Sequence, residues 1–116
     1  MDQHAIVIAD TNGIIQLWSP GASTLFGYPS KEAVGKRLDL VVPETFRDAH
    51  WKGFDHAMSI GRAGGEGSFF DAPVLCSSGE TRIFRGQLHV LRDEKEKAIG
   101  AMAIFTSADA ASAGAG

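Results

Sequence analysis

A single cysteine, Cys76, occurs in 116 residues, so no internal disulfide can staple the chain and it must rely on a hydrophobic core. That scarcity fits a reducing compartment, and on an apolar segment the residue reads as a small hydrophobe. No apolar run reaches the roughly eighteen residues a membrane span needs, and MDQHAIVIAD has no basic segment leading into a long greasy stretch. The expectation is a cytoplasmic chain with no membrane partner. Basic residues are also few: 11 Lys and Arg face 14 Asp and Glu, a net charge of −3, with no Lys/Arg cluster. That composition argues against a nucleic-acid footprint. Catalytic signatures are lacking too: there is no Gly-x-Ser-x-Gly elbow, no His-Glu-x-x-His helix, no Gly-x-x-x-x-Gly-Lys loop and no nucleophile with an evident base. The chain is not expected to be an enzyme.

What is present reads as one ordinary globular domain, with 44% hydrophobic and 22% charged residues. Ala5 to Ala9 and Ile14 to Trp18 are apolar runs joined by Asp10-Thr11-Asn12-Gly13, a hairpin pattern. Ser19-Pro20 offers a cap and a first-turn proline for a short helix ending at Gly27, and Ser30 to Gly35 makes one more turn. Ser68 to Cys76 reads as a strand that Pro73 confines to a sheet edge. In Thr81 to Leu91, Phe84, Gly86, Leu88 and Val90 alternate with Arg85, Gln87 and His89, so one face is buried. Arg92 to Lys97 is a solvated charged turn, and Ala98 to Phe105, apolar on both faces, is a central strand. With no βαβ repetition, the economical architecture is α+β: a five-stranded antiparallel sheet with helices on one face. The domain spans residues 1–106, and the small residues of 107–116 form a flexible tail.

Between these halves, VVPETFRDAHWKGFDHAM holds the one longer helix, opened by Pro43-Glu44 and closed by GRAGGEG, a loop expected to be mobile. At about 100° per residue, Phe46, His50, Gly53, Phe54, Ala57 and Met58 share one stripe. His50 therefore faces inward, either as a core histidine with a hydrogen-bond partner or as a group holding a ligand in a cavity. His56 lies about 240° around the helix from it, so the two cannot grip one metal together. Trp18 and Trp51 read as packing or interface residues, and His4 and His89 as surface ones.

The order of elements, together with AIVIADTNGIIQLW, SPGASTLFGYPSKEAVGKRL, the VVP entering the helix, SSGETRIF and AIGAMAIF, resembles the PAS sensory domain from Ala5 to Phe105. Leu25-Phe26-Gly27-Tyr28 followed by Glu32 and Gly35 is the most specific piece; Ser19 departs from the family's usual asparagine but caps equally well. The resemblance implies strand order 2-1-5-4-3 and a sensor or dimerisation module with its cavity between the long helix and the inner sheet face. Pro43, Arg47 and His50 are similar to the Pro-x-x-x-Arg-x-x-His pattern of the haem-binding branch, the rhizobial oxygen-sensor kinase type, which implies haem b with His50 as the iron ligand.

By the same resemblance Phe46, Phe54 and Met58 flank His50, His56 lies near a propionate, and Phe70, Gly86, Leu88 and Ile104 form the distal wall. The branch's distal arginine falls on Phe70 and its alternative distal methionine on Ser68, so neither is preserved. The function implied is sensing of a gas or redox state by a bacterial-type module acting as a homodimer or through an output domain, fused or separate. Two alternatives stand beside it: an apolar small molecule in the same cavity, with Gly86 making room, or an empty interaction module. A flavin photosensor is disfavoured, because its Asn-Cys-Arg motif is missing from the helix.

Overall fold

Alternation of small and β-branched residues makes β1 (His4–Ala9), and the apolar run Ile-Gln-Leu-Trp makes β2 (Ile15–Trp18), its antiparallel partner with Val7 opposite Trp18. The computed structural model describes residues 4–106, so the tail expected at 107–116 lies outside the described residues. β2 starts one residue later than the apolar pattern indicates: Ile14 instead bridges Arg37, and the register shifts between Ile8 and Ala9. Asp10 shapes the turn, its carboxylate accepting from the backbone N–H groups of Asn12 (2.9 Å) and Ile14 (3.0 Å).

α1 (Pro20–Phe26) begins as expected: Ser19 Oγ accepts from Ala22 N–H (3.2 Å), proline fills the first turn, and Gly27 ends the helix at φ 91°. α2 (Ser30–Ala33) is a single turn, and Leu38–Leu40 form a 3-10 turn that the sequence pattern did not reveal. Pro43 opens a further 3-10 turn, Glu44–Phe46, and only then does α3 (Arg47–Ile60) run, ending on Gly61 at φ 81°.

β3 (Phe70–Leu75), β4 (Thr81–Arg92) and β5 (Ala98–Thr106) complete one sheet in the order β2-β1-β5-β4-β3. The Pro73 strand lies at an edge, where its missing N–H costs no ladder bond. β5 is central, paired with β1 (Ala5 opposite Phe105) and β4 (Gly86 opposite Phe105).

Among the described residues the largest fully buried side chains are Phe26, Phe84 and Ile15. Phe26 is the hub: its ring meets Trp18, Phe84 and Phe105 edge-on, with centroids 5.8, 5.1 and 5.4 Å away. Trp18 adds a hydrogen bond from Nε1 to the Tyr28 carbonyl (2.9 Å), so its polar atom is satisfied. Each such burial contributes about 1.5–3 kcal/mol. This cluster joins β1, β2, α1 and the strands β3 and β4, and it does not include α3.

Two expectations about loops are corrected. GRAGGEG is tied down, continuing the β3 edge along β4: Gly67 N–H donates to Leu88 O (2.9 Å) and Gln87 Nε2 donates to Gly67 O (2.8 Å). Arg92, assigned to a solvated turn, ends β4 and grips this loop, donating to Gly61 O (2.9 Å) and pairing with Glu66 (3.1 Å). Glu66 in turn accepts from Val90 N–H (3.0 Å), standing in for a missing strand. These bonds, led by that from Arg92, hold the Glu66 carboxyl at a pKa of about 2.

Candidate functional site

α3 carries the site, and its first residue sets its position. Arg47 donates from Nε to Val42 O (3.0 Å) and from Nη2 to Asp39 O (3.2 Å), fastening the helix start to the preceding segment. The arginine of the Pro-Arg-His spacing is therefore a structural staple. His50 follows one turn on, and Phe54 and Ala57, four and seven residues later, are buried. The imidazole lies on the same stripe, half-buried.

Its surroundings are aromatic. The His50 ring meets Trp51 edge-on at 4.9 Å and stacks on Phe54 at 5.9 Å with 28° between planes. Nδ1 is fully buried and has no hydrogen-bond partner among the described residues. Leaving such an atom unpaired costs about 1–3 kcal/mol. Burial pushes the His50 pKa below its ordinary value, against the opposing pull of the Asp39 and Asp55 carboxylates, so the ring is neutral near pH 7.

The packed part of the helix is narrower than its apolar stripe. Phe46 is 48% exposed, Gly53 is exposed, and Ile60 on the same flank is 48% exposed. Met58, on the other flank, is half-buried. His56 is exposed, and of the helix residues it adjoins the bare flank formed by Gly53 and Ile60.

The sheet shows a matching incompleteness. Phe70 shares the inner face of β3 with the buried Ala72 and Val74 and lies opposite Gly86, yet it is 45% exposed. Leu88, inward on β4, is only half-buried. Inward-facing side chains with no cover are what an apolar binding surface presents.

Two expected wall positions are corrected. Ile104 lies on the outer face of β5, opposite Ile6 and Gln87, because strand alternation sends its neighbour Phe105 inward onto Phe26. Gly86 opens no space, since the Phe105 ring fills it: a Cβ there would stand 2.9 Å from Phe105 Cδ1. The sequence pattern missed Phe105 because a strand apolar on both faces carries no phase; only its partner strands supply one. Trp51 and Asp39 were missed for another reason, since the hydrogen bond between them joins residues twelve apart across two 3-10 turns and the start of α3.

No group of three or more His, Cys, Asp or Glu residues suited to a bare metal ion occurs among the described residues. His50 is the one inward imidazole on the helix, His56 being exposed. An open depression of about 420 Å³ lies at the C-terminal end of α3, where Ile60, Gly61, Arg62 and Glu96 surround the Arg92–Glu66 pair.

A profile of the PAS fold matches residues 3–107. The chain belongs to the PAS family. PAS domains are sensory modules, and this one is a signal-sensing domain. Two curated relatives match it in part. It is 41% identical over 46 residues, 40% of its length, to the sensor protein FixL of Bradyrhizobium diazoefficiens. It is 31% identical over 61 residues, 53% of its length, to the oxygen sensor protein DosP of Escherichia coli. The matched stretches span only 9% and 8% of those two proteins. Among solved structures, the PAS domain of the Cronobacter turicensis RpfR quorum-sensing receptor, in complex with BDSF, superposes with a TM-score of 0.70. That match has 17% identity and covers 91% of this chain and 94% of that one, a likeness of fold. No helix among the described residues of this PAS domain is long and apolar enough to cross a membrane.

Proposed function

We propose that this PAS domain binds haem b through His50 and senses a small gas or a redox change with it. The observation carrying this reading is a neutral, half-buried imidazole that makes only ring contacts among the described residues. A core histidine kept for structure has a hydrogen bond to justify its burial, whereas this one has only aromatic contacts. The absence of a three-ligand cluster among the described residues fits the same reading, because haem asks the protein for an axial ligand and brings its other nitrogens itself. The likeness to FixL and to the oxygen sensor DosP supports it further.

Within this reading His50 is the axial ligand, and Phe54, Met58, Phe70 and Leu88 offer apolar contact to the macrocycle. Phe46 lines the mouth, and His56, when protonated, pairs with a propionate. Bound haem would supply an iron centre for gas binding or electron transfer. The chain's own contribution is to desolvate the imidazole and keep it neutral, and to present an apolar wall that favours neutral diatomic ligands over anions. The outer sheet face bears exposed Leu17 and Ile83, and a second copy of the domain docks there.

Absorption spectroscopy of protein expressed with ample haem tests the proposal. A Soret band is expected, and His50→Ala should abolish it or shift it strongly; no band, or one that ignores the substitution, overturns the haem reading. A second reading, an apolar small molecule in the same place, is favoured by the bare apolar side chains Phe46 and Phe70 alone. Mass spectrometry of the organic extract would reveal such a molecule, and an extract without one removes that reading. Sedimentation at several concentrations reads the dimer, and a monomer throughout removes the docking of a second copy.

A further inference from the structure

A ligating histidine is ordinarily aimed by a hydrogen bond from its second ring nitrogen. His50 has none, so something else must hold its ring plane. The contacts that remain form a closed triangle of rings: His50 on Trp51 at 4.9 Å, His50 on Phe54 at 5.9 Å, and Trp51 on Phe54 at 5.5 Å. Of the two partners, Trp51 is the one fixed from outside the helix. Its Nε1–H donates to Asp39 Oδ1 at 2.7 Å, a short bond to a charged acceptor. Arg37 covers its ring at 4.5 Å. Gly13, at φ 77°, lies against the ring, where any Cβ would collide with the indole.

We propose that Trp51, anchored by Asp39, is the positioning residue of the His50 imidazole, replacing the hydrogen bond that a ligating histidine usually makes. This rests on His50 being the residue that bears the ligand. The weight falls on the indole hydrogen bond, because the ion pairs holding Asp39 are long and partly exposed: 4.0 Å to Arg37 and 3.9 Å to Arg47. The arrangement also links the site to the β1–β2 turn through Gly13. Asp39 acts from a distance as well, its charge pulling the ring toward protonation against the larger effect of burial.

Asp39→Ala, Asp39→Asn and Trp51→Phe separate this role from simple packing. Asparagine still accepts from the indole, and phenylalanine keeps a ring against Gly13 while losing the bond. Two readouts are needed: the His50 ring resonances in haem-free protein, and the rate at which hemin-loaded protein loses hemin to an apo-globin scavenger. Asp39→Ala and Trp51→Phe should shift or broaden the His50 resonances and speed hemin loss about tenfold, in the range seen for lost second-shell contacts, while Asp39→Asn restores both. Unchanged resonances in folded Asp39→Ala and Trp51→Phe overturn the proposal, as does a failure of Asp39→Asn to rescue. If the wild-type protein takes up no hemin, the functional reading falls while the ring resonances still decide the positioning role.

Discussion

Phe26 and Phe70 border the inner side of the same sheet; the first is 1% exposed and the second 45%. Around Phe26 the packing is closed: Trp18, Phe84 and Phe105 surround it, and the Trp18 indole is satisfied by a carbonyl. Around Phe70 it is open: the ring is bare opposite Gly86, and Leu88, two residues further along β4, is only half-covered. The difference assigns the two ends different duties. Stability is concentrated where side chains interlock, and the other end is left incomplete, which is what the proposed ligand-binding role requires.

The sharpest way to break this comparison is to damage the closed end. Phe84→Ala removes a fully buried ring that contacts Phe26 and should cost about 3–5 kcal/mol in urea unfolding, enough to leave the domain marginal. A loss below about 1 kcal/mol would mean that the cluster is not where stability resides. Next in size is Gly86→Ala, at the boundary between the ends. The new Cβ would press on the Phe105 ring, a strain of about 1–3 kcal/mol that a thermal melt would register.

The pH dependence separates the ends in haem-free protein. His50 has a lowered folded pKa, so above its ordinary value of about 6.5 both states are neutral and nothing is lost. As pH falls below that value, the unfolded chain takes up the proton first and stability declines until the lowered folded pKa is passed. His50→Leu should remove this decline, as urea titrations at pH 7.5 and pH 5.5 would show. The Glu66 clamp behaves differently: its contribution is complete above 4.5 and lost as pH falls toward about 2, so Glu66→Gln should flatten only that acid step. The smallest effect is expected at the open end itself. Phe70→Ala should change stability by less than about 1 kcal/mol, since so much of the ring already meets water. A larger loss would show that this end is packed after all.

Much of the fold was readable in residue order. Pro73 announced an edge strand, Ser19-Pro20 and Gly27 bracketed α1, and the alternation from Phe84 to Val90 marked an inner face; each is a local rule that the tertiary structure obeys. The inward placement of His50, Phe54 and Leu88, as distinct from any role, was readable, because it follows from helical or strand period alone. It was not readable at Ile104 and Phe105, where both faces of the strand are apolar, nor at Gly86, whose empty side chain is filled from the neighbouring strand. GRAGGEG misled because glycine content reports backbone freedom and says nothing of Glu66 finding Arg92.

By itself, then, the sequence determined the elements, their order and the inward aim of one histidine, because period, capping and proline act over a few residues. Only the tertiary structure decided which side of β5 faces the core, that Arg47 serves as a staple, that the glycine loop is clamped, and that the imidazole lies against Trp51, itself bonded to Asp39, while its own Nδ1 has no partner among the described residues. Those outcomes depend on strand register and on contacts between residues far apart in the chain, and no local pattern encodes either one.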